Sequence, residues 1–170
     1  MIPDAYYKDI YSINYKKLER IGIKYIFFDL DNTMINYYTN EVDIDLINFI
    51  ESLKNKFKII IFSNAREKRV KKISKELDVY AFYSSKKPLK KSYKDIKSLF
   101  KSNECIFIGD QFMTDVWGAK RNDMKVILVD RLSEEEPIGT KIWRFFEKKR
   151  IKRLNKNDKF ELYRYYDNLV

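Results

Sequence analysis

The chain contains no histidine. That absence removes Ser-His-Asp and Cys-His catalysis, phosphohistidine chemistry and every His-ligated metal site, and leaves carboxylates, lysines and hydroxyls as the groups that can do chemistry. With a single cysteine no intramolecular disulfide can form, so the oxidised framework of small secreted domains is excluded. No Gly/Ser-rich or Pro-rich linker and no repeat interrupts the 170 residues, a length that suits one domain with a sizeable core and is too short for two ordinary ones. No apolar run approaches the roughly 20 residues a membrane span needs. The start, Met1-Ile2-Pro3-Asp4-Ala5-Tyr6-Tyr7-Lys8, has no basic stretch leading into an apolar core, so it does not read as a signal peptide. The expectation is one cytosolic domain over 1–170, with a core of about 22–131 and a tail of about 138–170. Acids are scarce relative to bases: 25 against 35, a net charge of +10. That balance favours anionic partners without choosing among nucleic acid, phosphorylated small molecules and anionic lipid.

What is present is a repeated alternation. The run Lys24-Tyr25-Ile26-Phe27-Phe28 is short, aromatic and β-branched, as a strand buried on both faces is, and two carboxylates, Asp29 and Asp31, appear where it should end. Asp43 is placed to cap a helix carrying Leu46, Phe49, Ile50 and Leu53 on one side. The strand Lys58–Phe62 follows, ending in Ser63-Asn64. A helix with Val70, Ile73 and Leu77 leads to a weaker strand at 80–83 and then to Lys86-Lys87-Pro88; a helix with Tyr93, Ile96 and Phe100 leads to Cys105–Ile108 and Gly109-Asp110-Gln111. A short helix begun by Thr114 and Asp115 precedes the strand Lys125–Val129. Residues 4–21 have helix-like spacing and read as a lid over one sheet edge. Strands alternating with helices imply a three-layer α/β domain with five parallel strands, and ligands of such sheets collect outside the carboxyl ends of the strands.

The polar residues fall at those ends. Asp29 and Asp31 follow the first strand, Ser63 the second, Lys87 the third and Asp110 the fourth. Carboxylates so close together repel by roughly 4 kcal/mol per pair at 4 Å and an effective dielectric of about 20, so they call for a cation. With oxygen ligands only, a hard ion such as Mg²⁺ fits. A carboxylate-held metal with a lysine, hydroxyls and free backbone N–H groups suits a phosphoryl group, which needs positioning and charge neutralisation above all. Asp29 can attack phosphorus and Asp31 can give a proton to the leaving oxygen. Cys105 lies inside an apolar run and reads as core; the Arg that a cysteine-phosphatase loop needs six residues on is Gln111.

Asp29-Leu30-Asp31-Asn32-Thr33, Ser63, Lys87-Pro88 and Gly109-Asp110 with Asp115 resemble, in order and spacing, the four motifs of the haloacid-dehalogenase (HAD) phosphatases. Pro3-Asp4 with Gly22-Ile23-Lys24, Ser63-Asn64 with Glu67-Lys68-Arg69-Val70, and Gly109-Asp110-Gln111 with Thr114-Asp115-Val116-Trp117-Gly118 are similar to the YqeG-like, IIIA-type branch, to which the mitochondrial phosphatidylglycerophosphate phosphatases are related. The resemblance implies a three-layer, Rossmann-like HAD fold and a Mg²⁺-dependent phosphomonoesterase working through an aspartyl phosphate. It casts Asp29 as nucleophile, Asp31 as general acid/base whose backbone carbonyl also touches Mg²⁺, Asp110 as second carboxylate ligand and Asp115 as support for the metal. Ser63 would bond the phosphoryl oxygens and Lys87 would neutralise nucleophile and phosphate, with Lys86 or Lys90 as substitutes; Thr33 fixes the turn, and Thr33 and Asn64 complete the substrate-binding set. Caps in this family are inserted after the first or second motif, but only 29 residues separate Thr33 from Ser63 and 23 separate Ser63 from Lys87, so the fold is expected to be uncapped and open to bulky substrates.

Beyond Glu134-Glu135-Glu136-Pro137 the alternation stops. Residues 141–156 hold eight basic side chains and one acid, Glu147, interleaved with Ile142, Trp143, Phe145, Phe146, Ile151 and Leu154. An apolar side carrying Trp and Phe opposite Lys and Arg suits a helix on anionic lipid, an arm on RNA, or a tail helix packing its aromatics on the sheet. The expected partner is a phosphorylated substrate, a lipid head group at an anionic membrane included. The alternatives are a nucleotide or sugar phosphate, or a basic RNA- or ribosome-associated module with a vestigial site.

Overall fold

The computed structural model describes residues 1–134, 138–157 and 159–170, the side chains of 138–143 excepted. The Glu135-Glu136-Pro137 break and the Ile142 and Trp143 side chains therefore lie outside the described residues. The strands are β1 (Ala5–Tyr7), β2 (Tyr25–Phe28), β3 (Lys58–Phe62), β4 (Tyr80–Phe82), β5 (Cys105–Gly109), β6 (Lys125–Val129) and β7 (Tyr166–Asp167). The helices are α1 (Tyr15–Arg20), α2 (Ile44–Lys54), α3 (Glu67–Glu76), α4 (Lys90–Leu99), α5 (Trp117–Lys120) and α6 (Ile138–Asn155). The strands form one sheet in the order β4-β3-β2-β5-β6-β1-β7.

The five expected strands are all present and parallel, and two more extend the sheet. Residues 4–21 are not helical turns throughout: Ala5–Tyr7 pairs parallel with β6, and only Ile10–Ser12 and Tyr15–Arg20 are helical. The far edge is closed by β7, antiparallel to β1, from the stretch after α6 for which the sequence predicts no element. Side chains alternate across each strand, so the sheet feeds two cores. Ile26, Phe28, Ile59, Ile61, Ile106 and Ile108 face α1, α2 and α3 through Leu18, Leu46, Ile50, Val70 and Ile73. Phe27, Ile60, Phe62 and Phe107 face Tyr93, Ile96, Val116, Ala119 and Ile151. Phe27 stacks on Phe107 with centroids 4.7 Å apart. Cys105 is buried in this second core, as expected.

Register positions the site. Phe28 is level with Ile61 on one side and Ile108 on the other. The residues that follow, Asp29, Phe62-Ser63 and Gly109-Asp110, therefore leave the sheet side by side at the point where chain order reverses about β2. No domain is inserted after Thr33 or Ser63 among the described residues. Asp43 caps α2, accepting from Leu46 N–H at 2.7 Å.

The β7 edge is pinned by Asp167, which accepts from the Tyr7 hydroxyl (2.6 Å), Lys17 Nζ (2.8 Å) and Leu169 N–H (2.9 Å). Burial alone would raise this carboxyl, but those donors outweigh it and hold Asp167 below its ordinary 3.8. A carboxyl depressed in the folded state contributes stability that is present above 3.8 and lost as pH falls through the folded value. Asp167→Asn should therefore lower stability by about 1 kcal/mol at neutral pH, and the gap to wild type in urea unfolding should close in acid. A gap that persists unchanged in acid would contradict this role.

Candidate active site

A buried lysine organises the crevice. Lys87 Nζ lies 2.6 Å from Asp29 Oδ1 and 2.6 Å from Asp115 Oδ1, with all three side chains nearly inaccessible to solvent. The ammonium also sits 5.6 Å from the centroid of the Phe62 ring. Lys86 and Lys90, the sequence alternatives, are exposed. Asn64 explains the choice of lysine: its Oδ1 accepts from Lys87 N–H (2.7 Å) and its Nδ2 donates to Lys87 O (3.1 Å), which clamps the backbone of that residue. Both ends of the amide are thereby engaged in holding the lysine in place.

The carboxylates Asp29, Asp110 and Asp115 come from three places. Asp29 ends β2, its N–H bonded to Ile108 O at 2.8 Å. Asp110 follows β5 and Asp115 sits in a π-helical turn, Phe112–Val116, between β5 and α5. Thr114 and Asp115 thus lie within that wide turn, a feature common at functional sites, and do not begin an ordinary helix. Asp115 Oδ2 accepts from Gln111 N–H at 3.1 Å. Gly109 makes room for it: a Cβ there would lie 2.4 Å from Asp115 Cγ. Asn32, at φ 62°, turns the chain after β2, a backbone state that Asn tolerates better than most residues. Thr33 then donates its hydroxyl to Asp110 Oδ1 at 3.3 Å, so it ties the first turn to the fourth. Ser63 is buried, and its hydroxyl accepts from Ala65 N–H at 3.1 Å.

Asp31 stands apart from the other three carboxylates. Arg69 of α3 holds its Oδ1 from Nε (3.0 Å) and Nη2 (2.9 Å). The same guanidinium bonds Thr39 O, Asn40 Oδ1 and Asn36 O, so it fastens the loop over this side of the crevice. Two further residues come from α6. Arg144 pairs with Asp110 Oδ2, donates to Asp110 O (3.2 Å) and to Glu147 Oε2 (2.8 Å), while Glu147 Oε1 accepts from Phe112 N–H (2.5 Å). Sequence reading assigned no role to Arg69, Arg144 or Glu147. Arg69 lay inside a stretch that resembled the family, and Glu147 was the lone acid in a basic run.

Burial dominates the electrostatics. It lifts Asp29 well above the ordinary 3.8, with Lys87 pulling down and Asp115 and Asp110 pushing up. It raises Asp31 against the pull of Arg69, and Asp110 to about 7 against the pull of Arg144. Burial would lower the Lys87 ammonium, but Asp115 and Asp29 hold it above its ordinary 10.5. Oxygens of Asp29, Asp110 and Asp115 lie within 4.8 Å of one another, a buried set of hard donors. Among the described residues, the carboxylates of Asp29, Asp110, Asp115 and Glu147 face only the cations Lys87 and Arg144 across these ion pairs. The donor set therefore fits Mg²⁺.

The α6 side chains correct one expectation. Its inner face is Arg144, Glu147, Ile151 and Leu154, at helical spacing. Phe145 and Phe146 are about half exposed, on the same outer face as Lys148, Lys149, Lys152 and Arg153. The phenylalanines are thus neither opposite the bases nor packed on the sheet, because a buried ion pair occupies the inner face where they were expected.

Lys87→Met leaves Asp29 and Asp115 buried without their shared cation and should cost about 3–5 kcal/mol in denaturant unfolding. Adding Asp115→Asn should recover part of that loss, a coupling that strictly additive losses would contradict.

Residues 1–133 match the model of a protein family described as "Mitochondrial PGP phosphatase". A Bacillus subtilis (strain 168) protein described as "Probable phosphatase YqeG" is 32% identical over 158 residues, covering 91% of this chain and 92% of its own. "Phosphatidylglycerophosphate phosphatase 1, chloroplastic/mitochondrial" of Arabidopsis thaliana is 28% identical over 166 residues, which cover 90% of this chain and 48% of the plant protein. Among solved structures, a predicted HAD-like family hydrolase from Porphyromonas gingivalis superposes with a TM-score of 0.55 over 72% of this chain and 98% of its own; at 14% identity this likeness shows the fold.

Proposed function

Because the chain belongs to the family described as mitochondrial PGP phosphatase, within the HAD phosphatases, we propose that it hydrolyses a phosphomonoester through an aspartyl phosphate on Asp29, with Mg²⁺ as cofactor. The observation that carries this reading is the buried Asp29 carboxylate, fixed by Lys87 beside Asp110 and Asp115. Asp29 Oδ attacks phosphorus and the bond to the ester oxygen breaks; Asp31 gives its proton to that oxygen, which leaves as an alcohol. Water then attacks the acyl phosphate, Asp31 takes one of its protons, and the bond from phosphorus to Asp29 breaks to release inorganic phosphate. The raised Asp31 carboxyl is suited to holding a proton for the first step. Ser63 donates to a phosphoryl oxygen, and Lys87 neutralises first the nucleophile and then the phosphoryl group. Asp29, Asp110 and the Asp31 backbone carbonyl would hold Mg²⁺, with Asp115 in support, and the ion would supply charge neutralisation at the phosphoryl oxygens.

We propose further that the substrate is phosphatidylglycerophosphate at an anionic membrane surface. The lack of an inserted cap among the described residues and the outer face of α6, with Phe145 and Phe146 among Lys148, Lys149, Lys152 and Arg153, support this reading. At about 1 kcal/mol per basic residue, three or four contacts would give reversible binding. Among the described residues no helix is long and apolar enough to cross a membrane.

Hydrolysis of an aryl phosphate should require Mg²⁺ and stop on chelation, and Asp29→Asn should fold normally while losing several orders of magnitude in kcat. Full activity in that variant would sink the covalent route. Phosphate should be released from phosphatidylglycerophosphate vesicles, with binding that weakens in salt and on neutralising Lys148, Lys149, Lys152 and Arg153. Retention on RNA, with no vesicle binding and no lipid turnover, would overturn the lipid reading.

A further inference from the structure

The helix that faces outward through Phe145 and Phe146 reaches inward through Arg144 to a carboxylate that the phosphatase reading gives to the metal. Asp110 is fully enclosed, and its Oδ1 already accepts from Thr33 at 3.3 Å. Its Oδ2 is paired with the Arg144 guanidinium, itself only 12% exposed. The arginine is held there by more than this pair: Nη1 reaches Asp110 O at 3.2 Å and Glu147 Oε2 at 2.8 Å, and Glu147 is anchored in turn on Phe112 N–H at the mouth of the turn that bears Asp115. Ile151, two turns beyond Arg144 on the same face, is buried in the second core. A guanidinium so placed is a built part of the site and not a surface charge that happens to lie near it.

Two cations therefore address one carboxylate. We infer that Arg144 is a positioning residue that competes with the divalent ion for Asp110, so that the C-terminal helix sets the metal affinity of the site. The inference takes the metal-dependent reading above as its premise. Two effects act in the same direction: Asp110 Oδ2 must leave the guanidinium before it can serve the ion, and a fixed positive charge within a few ångströms opposes a divalent cation where the surroundings screen it poorly. Glu147 softens the cost, because Arg144 keeps that partner and the Asp110 carbonyl when Oδ2 turns away. The ion pair in turn keeps Asp110 from standing as an uncompensated buried charge.

Calorimetric titration with Mg²⁺, repeated with Mn²⁺ by electron paramagnetic resonance, tests this. Arg144→Gln should bind each ion roughly tenfold more tightly or better than wild type. Its melting temperature without added ion should fall, and the rise on adding Mg²⁺ should be larger than in wild type. Arg144→Lys, which keeps the charge without the forked contact, should lie between. Because Arg144→Gln strands two carboxylates and can fold poorly, the double variant Arg144→Gln/Glu147→Gln serves as a second probe: it leaves the net charge of the site unchanged and should still bind Mg²⁺ more tightly. Equal or weaker Mg²⁺ binding in both variants overturns the inference while leaving the phosphatase reading intact. A wild-type chain that binds neither ion takes both down.

Discussion

A buried ammonium shared by two carboxylates, Lys87 between Asp29 and Asp115, is the interaction on which the rest of this structure depends. Neither carboxylate could be enclosed alone, since desolvating an unpaired charge costs far more than packing returns. The chain devotes several elements to holding the three groups in place. Asn64 grips the lysine backbone from the end of β3, Gly109 gives the Asp115 carboxylate its space, and Gln111 N–H fixes that carboxylate in the turn after β5.

The sheet makes this possible through register. Because β2 lies between β3 and β5 with Phe28 level with Ile61 and Ile108, three loops open side by side, and side chains some eighty residues apart in sequence meet. The neighbouring pair Asp31–Arg69 is built on another logic. Its carboxyl lies outside the cluster of Asp29, Asp110 and Asp115, and its arginine also fastens residues 36–40, so Asp31 is tied to the loop that covers that side of the site.

Most of this was legible because the signals are local. Each strand is a short apolar run, and each of Asp29, Ser63, Lys87 and Asp110 stands just beyond one, so the alternation alone brings them to one edge. What escaped is non-local. β1 is three residues long and finds its partner about 120 residues later; Ala5, Tyr6 and Tyr7 sit among residues with helix-like spacing, and only the pairing with Ile127, Leu128 and Val129 makes them a strand. β7 is two residues, and its anchor Asp167 reads as any surface acid until Lys17 and Tyr7 are placed beside it. Arg144 was hidden among like residues. The inner face of α6 joins the Arg144–Glu147 ion pair to Ile151 and Leu154, so hydrophobic spacing placed those two correctly and Phe145 and Phe146 on the wrong side.

With Arg144 and Glu147 included, the site is a buried network of four carboxylates and two cations, arranged about the Asp29 carboxylate that Lys87 holds in place. The most direct test is a crystal structure of the chain with Mg²⁺ and beryllium fluoride, a mimic of a bound phosphoryl group. The account predicts beryllium joined to an Asp29 oxygen, fluorines within hydrogen-bond distance of Ser63 Oγ and Lys87 Nζ, and Mg²⁺ between Asp29 and Asp110. Beryllium on any other residue, or Mg²⁺ bound away from these carboxylates, would contradict it.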